Sequence, residues 1–449
     1  MIAAPWCERS AGVLLHLTSL PDGGMHDAAY HFAERIAGTG LRVWQLLPIG
    51  PSAAERNPFA TASAFAGDPA FARDAGAVDQ KAYARFRDEN ADWLDDWALF
   101  AALKMAHGGA AWWQWPMPLR RREPRALSRA GSAHSASVEQ ARIAQFRFET
   151  AWTAFRRHAS SLGLRLFGDV PLFMSRDSAD VWAHRELFDA DAEGRLQSLV
   201  GVPPDAFSAS GQLWGLVPYR WEAMAAGGYA WWRRRFEVQA RRYELIRLDH
   251  FRGFAAWWRI PTDAQSAAEG AWMPGPGREA IDALAPVLGS VRLVAEDLGV
   301  ITEDVVALRR ALGLPGMRVL QFGFDGDPGN PHLPQHHEPD SVCYTGTHDN
   351  DTTLGWWHTM PAEQREEVAR VLGGGPIEMP RALVELAWSS PAPLSVVPMQ
   401  DLLRLGTEAR MNRPGVGAGN WHWSFRWEQV PAAFDAGLRE SLDRHGRIP

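Results

Sequence analysis

The chain has 449 residues, 46% of them hydrophobic and 22% charged, which describes a globular protein with a large core. Its 46 basic and 53 acidic side chains leave a net charge of −7, so neither nucleic acid nor an anionic membrane is an expected partner.

The N-terminal apolar stretch before Glu8 and Arg9 is shorter than a signal peptide's apolar core, and no apolar run of roughly 18 residues follows. A cytoplasmic protein is therefore expected. In chain order, eight apolar, β-branched runs read as strands: residues 12–17, 41–47, 164–171, 243–249, 291–296, 317–324, 341–345 and 394–398. From the fourth onward they recur every roughly 25–50 residues, the spacing of strand–helix units. The pattern predicts an α/β protein, a (β/α)8 TIM barrel, as one catalytic unit over residues 1–449. Two intervals are too long for single crossovers, about 50–163 and about 172–240, and predict mainly helical subdomains inserted on the C-terminal face. In the first, 92–107 and 137–162 carry helical patterns. Between them, 116–135 is rich in Arg, Ser, Ala and Pro and reads as a mobile loop that solvates Arg120, Arg121 and Arg122. Cys7 and Cys343, the only cysteines, lie too far apart for a CxxC metal site, and a structural disulfide between them is not expected. The 22 tryptophans include faces suited to sugar rings, although most single tryptophans are packing residues.

Three strand-like runs end in acids: Arg247-Leu248-Asp249, Ala295-Glu296-Asp297 and Gly346-Thr347-His348-Asp349. Acids at the C-terminal ends of barrel strands occupy the catalytic rim of that fold, and two carboxyls flanking a sugar–sugar bond are the machinery of glycosidic cleavage. Arg247 and Asp249, two apart, face the same side of a strand, where the guanidinium keeps the carboxylate ionised as a nucleophile requires. A plain structural ion pair is the competing reading. Glu296 closes an apolar run that can raise its pKa for proton donation, while Asp297 points to the opposite side. Either Asp297 or Thr302 can cap the following helix. Around His348 and Asp349, sugar hydroxyl binding competes with a metal site, which lacks a second His/Cys cluster. Asp169 adds a further acid at a strand end. No metal or organic cofactor is expected, because carboxyls supply both the covalent and the proton-transfer steps.

These motifs resemble glycoside hydrolase family 77, the amylomaltases or 4-α-glucanotransferases, nearly end to end. The resemblance rests on Gly12-Val13-Leu14-Leu15-His16, Ser63-Ala64-Phe65-Ala66-Gly67, Gly201-Val202-Pro203-Pro204-Asp205, Gly211-Gln212-Leu213-Trp214-Gly215, the runs 247–254, 295–301, 314–322 and 344–356, Pro398-Met399-Gln400-Asp401 and Glu408-Ala409-Arg410-Met411-Asn412. It implies Asp249 as nucleophile, Glu296 as acid/base and Asp349 as the transition-state carboxylate. It also implies that Arg247, His348 and Asp169 surround them, that Asp205, Gln212 and Trp214 lie on a loop over the acceptor side, and that Asn412 lies in a late polar loop. The implied substrates are maltooligosaccharides and α-1,4-glucans, as both donor and acceptor. The sequence departs from the family pattern at Gly24-Met25-His26-Asp27, at Ala54, and at Asn57-Pro58-Phe59, where the family's usual tyrosine hydroxyl is missing. A hydrolase on the same scaffold and a non-catalytic glucan-binding protein are the alternatives.

Overall fold

The computed structural model describes residues 8–53, 56–72, 77–204, 210–374 and 377–448. Eight parallel strands form its central sheet: β1 Ser10–Leu14, β2 Val43–Gln45, β3 Arg165–Val170, β4 Leu245–Leu248, β5 Arg292–Ala295, β6 Gly316–Val319, β7 Ser341–Tyr344 and β8 Leu394–Pro398. They follow one another in chain order around the sheet, with β8 returning to pair with β1 through Ser10 opposite Leu394. Between β5 and β6 the Ala295 N–H donates to the Pro315 carbonyl at 2.9 Å, so the sheet curls into a nearly closed barrel. This is the (β/α)8 fold that the strand spacing predicts.

Strand alternation sorts the side chains into two cores. Leu14, Val43, Phe167, Leu245, Val294, Met317, Val342 and Leu394 meet in one buried cluster drawn from all eight strands, which is the barrel interior. Their neighbours Val13, Trp44, Leu166, Ile246 and Leu293 pack outward in a second cluster beneath the surrounding helices. The same parity decides where the polar residues point. Asp169 shares the inward register of Phe167, Arg247 and Asp249 that of Leu245, and Glu296 that of Val294. Asp297 falls on the outward register.

The first long interval holds two 27-residue helices, Gln80–Ala106 and Ser135–Ser161, which extend the predicted patterns at 92–107 and 137–162. The expected loop at 116–135 is instead helical over Met117–Arg120 and Pro124–Ala133. Pro116 caps the first of those helices, and Pro118 and Pro124 fall in their first turns, where the missing N–H costs nothing. The three clustered arginines have partners: Arg120 donates to the Trp113 carbonyl at 3.2 Å, Arg122 lies 4.3 Å from the Trp182 ring centre and pairs with Asp96, and the exposed Arg121 pairs with Glu193. The second interval contributes the strands Ser198–Val202 and Gln212–Leu213. These join Ala256–Pro261 and Ala271–Pro274 in an antiparallel sheet. Cys343 is buried in β7, and Cys7 lies outside the described residues. Among the described residues no helix is long and apolar enough to cross a membrane.

Candidate active site

Parallel pairing sets Asp169 of β3 directly opposite Arg247 of β4. Arg247 Nη1 donates to both carboxylate oxygens of Asp169, at 2.9 and 2.8 Å, and to Asp249 Oδ1 at 2.8 Å. One guanidinium thus clamps two acids, and it sits almost wholly out of solvent with Asp169, whose side chain is 0% exposed. Asp249 is more open, at 26%, and its own N–H is held by the Val170 carbonyl at 3.1 Å. Burial, together with Asp249 and Glu296, raises the Asp169 pKa against the pull of Arg247.

Glu296 follows β5 immediately. Its carboxylate accepts the N–H of His250 at 2.7 Å and that of Leu298 at 2.9 Å. Since His250 is the residue after Asp249, the two carboxyls are neighbours across the β4–β5 rim. Burial pushes the Glu296 pKa up to about 7, opposed by Arg247 and reinforced by Asp249. Such a group can both give and take a proton near neutral pH. Asp297, on the outward register, accepts the Met317 N–H at 2.6 Å and meets Arg309 at 3.2 Å. It is therefore a strut between β5, β6 and the helix Glu303–Ala311 rather than a cap or a site residue. Thr302 occupies the cap position of that helix without a side-chain hydrogen bond to its backbone.

The β7 rim carries His348 and Asp349. Asp349 is 45% exposed, and Asn412 Nδ2 donates to its Oδ1 at 2.6 Å. Arg410 Nη2 holds the Asp349 carbonyl at 2.7 Å, and its Nε holds the Asn412 carbonyl at 2.7 Å. His348 Nε2 lies 3.4 Å from Asp349 Oδ1, and burial lowers the pKa of its ring. The charges of Arg247 and Asp249 also act on His348, which places this second group of residues beside the first. Phe59 stacks on the His348 ring, centroids 4.8 Å apart and planes 21° apart. Beneath the loop, buried Asp401 accepts Thr345 Oγ1 at 2.6 Å, the Thr353 N–H at 2.7 Å and Thr353 Oγ1 at 2.7 Å, pinning both ends of the segment that presents His348.

Gln212 and Trp214 come from the second insertion. Trp214 Nε1 donates to Gln212 Oε1 at 3.2 Å, and the indole stands edge-on to His250 with centroids 4.7 Å apart. The insertion therefore reaches the rim at the residue next to Asp249. Asp205 and Ala54 lie outside the described residues. Asp401 and Arg410 lie within the sequence motifs 398–401 and 408–412, and their roles follow only from these contacts. An acid three residues past β8 is the same signal that marks the other rim acids. Among the described residues no group of three His, Cys, Asp or Glu is arranged to hold a metal ion.

A nearly closed (β/α)8 barrel that gathers four carboxyls, a guanidinium and an imidazole at the C-terminal ends of its strands has the architecture of barrel enzymes acting on glycosidic bonds. A family model described as 4-alpha-glucanotransferase matches residues 15–75 and 70–429. A 4-alpha-glucanotransferase of Thermus thermophilus is 41% identical over 98% of this chain and 99% of its own length. The chloroplastic/amyloplastic 4-alpha-glucanotransferase DPE1 of Arabidopsis thaliana is 36% identical over 99% of this chain and 87% of its own. Among solved structures, an amylomaltase from Streptococcus agalactiae in complex with acarbose superposes with a TM-score of 0.93 at 29% identity, covering 98% of this chain and all of that one. The chain belongs to glycoside hydrolase family 77, the 4-alpha-glucanotransferases.

Proposed function

We propose that this site transfers α-1,4-glucan segments, with retention, from one maltooligosaccharide to glucose or to another α-1,4-glucan. The observation that carries the reading is the pair of neighbouring carboxyls with different surroundings. Asp249 has a guanidinium 2.8 Å away, whereas burial raises Glu296 to about 7. The Asp249 carboxylate attacks the anomeric carbon while Glu296 gives its proton to the departing glycosidic oxygen. A glycosyl ester forms on Asp249, and the shortened glucan leaves. Glu296, now ionised, takes the proton from an acceptor hydroxyl, whose oxygen displaces Asp249 and restores both groups. Asp349, held by Asn412, and His348 engage hydroxyls of the reacting sugar, and charge on Asp349 offsets the positive charge of the transition state. Gln212 and Trp214 cover the acceptor side, and Arg247 and Asp169 keep the nucleophile in place. The acarbose complex of the Streptococcus agalactiae relative supports an α-glucan as the ligand class. We read the chain as a single catalytic unit whose insertions about 50–163 and 172–240 wall the cleft.

Incubation with maltotriose tests the proposal. Transfer yields glucose together with chains longer than the substrate, and the first product keeps the α configuration. Only shorter products would identify a hydrolase, a β-configured first product would identify inversion, and no reaction would identify a glucan-binding protein.

A further inference from the structure

Under the β7 rim loop lies a cavity of about 30 Å³ whose walls include His16, His348, Gln400 and Arg410. That is room enough for a water molecule, and the wall is polar enough to hold one. His16 follows β1 in the inward register of Leu14, so strand parity brings it to the lumen beside the loop. The ring is buried and meets Phe71 edge-on, with centroids 5.6 Å apart. Its Nδ1 has no hydrogen-bond partner among the described residues. Burial, with His348 nearby, holds the His16 pKa down at about 3, and burial also lowers that of His348, so both rings are neutral near pH 7. A neutral imidazole carries one donor and one acceptor, and its tautomer follows from what each nitrogen meets. His348 turns Nε2 toward Asp349 Oδ1 at 3.4 Å, and the negative charge there favours a proton on that nitrogen. A buried, unpaired nitrogen on a residue that lines a polar pocket is costly unless something in the pocket satisfies it.

We propose that His16 is a positioning residue for His348: the two rings share a water held in this cavity, and that water fixes the tautomer and tilt of His348 against Asp349. The inference rests on the reading, given above, that His348 and Asp349 engage hydroxyls of the reacting sugar. Its test uses the full chain labelled with 15N-histidine and three variants. His16→Phe fills the cavity, His16→Gln keeps a hydrogen-bonding group, and His16→Ala substitutes if the Phe variant does not fold. For maltotriose disproportionation, His16→Phe is expected to lower kcat about 10-fold with KM within about twofold, the size of one hydrogen bond lost from the transition state. The His348 imidazole 15N signals are expected to move at the same time, and His16→Gln should recover most of kcat. Unchanged kcat with unchanged His348 signals would overturn the proposal, whatever happens to thermal stability. A Gln variant no better than Phe would overturn it as well. Asp249→Asn, assayed alongside, separates the two ideas. An active Asp249→Asn sinks the catalytic reading itself. An inactive Asp249→Asn beside an unaffected His16→Phe sinks only the role of His16.

Discussion

Replacing Arg247 by methionine tests the clamp at the centre of the site. Arg247 is 4% exposed, and its guanidinium is the only cation in ion-pair contact with Asp169 among the described residues, with both contacts at or below 2.9 Å. Removing one partner of a buried pair costs about 3–5 kcal/mol, because a charge is left without compensation. Asp169 escapes part of this by binding a proton, which makes the loss depend on pH. Its folded pKa already lies above the unfolded value, since burial outweighs Arg247. A carboxyl raised in this way binds more protons folded than unfolded. Its contribution to stability is therefore most favourable below an unfolded pKa of about 3.9 and declines as pH rises to the folded value. Arg247→Met raises the folded value further, so the destabilisation relative to the parent should be small near pH 4 and approach about 3–5 kcal/mol near pH 9. The same change removes the strongest influence lowering Glu296, so the basic limb of the kcat profile should move above the neighbourhood of pH 7. Urea unfolding at both pH values and a pH–rate profile measure the two effects. A loss below about 1 kcal/mol at both pH values, with the basic limb unmoved, would refute the clamp.

Three further outcomes are expected. Asp249→Asn and Glu296→Gln should each fold, with circular dichroism like the parent's, and lose nearly all transfer from maltotriose. The first cannot form the glycosyl ester and the second cannot donate the proton, so near-parent turnover in either would remove that residue from its role. Phe59→Tyr places a hydroxyl on the ring stacked against His348. A hydrogen bond to a charged partner there raises kcat/KM by roughly 10- to 150-fold, and a neutral one by less, whereas unchanged kinetics would make the ring a packing residue only. Arg447 is fully buried and donates to the carbonyls of Trp388, Ser10, Pro393, Ser390 and Ala392 at the base of β1 and β8. Arg447→Met should cost about 3 kcal/mol in urea unfolding and leave KM for maltotriose unchanged, because several buried carbonyls lose their donor far from the rim.

Strand alternation is a local property, and it carried a large part of this protein. The period of two placed Arg247 with Asp249 on one face and turned Asp297 away from Glu296. Acids directly after apolar runs mark the rim independently of strand pairing. The run of eight strands implied the barrel for the same reason, since each strand–helix unit has its own local pattern. Composition misled at 116–135, where Arg, Ser and Pro suggested a loop. There Pro116, Pro118 and Pro124 lie at helix starts, and the arginines find Asp96, Glu193 and the Trp182 ring, partners supplied by other segments. Register and closure were decided only in three dimensions. Asp169 reaches Arg247 because β3 and β4 align those two residues across 78 positions of chain. Asn412 reaches Asp349 across 63, and Asp401 reaches Thr345 across 56. No periodicity encodes such pairings, because they follow from strand register and from how the segments after β7 and β8 fold together at the rim. The raised pKa of Glu296 likewise depends on how deeply the assembled rim buries it and on which charges the closed barrel sets around it.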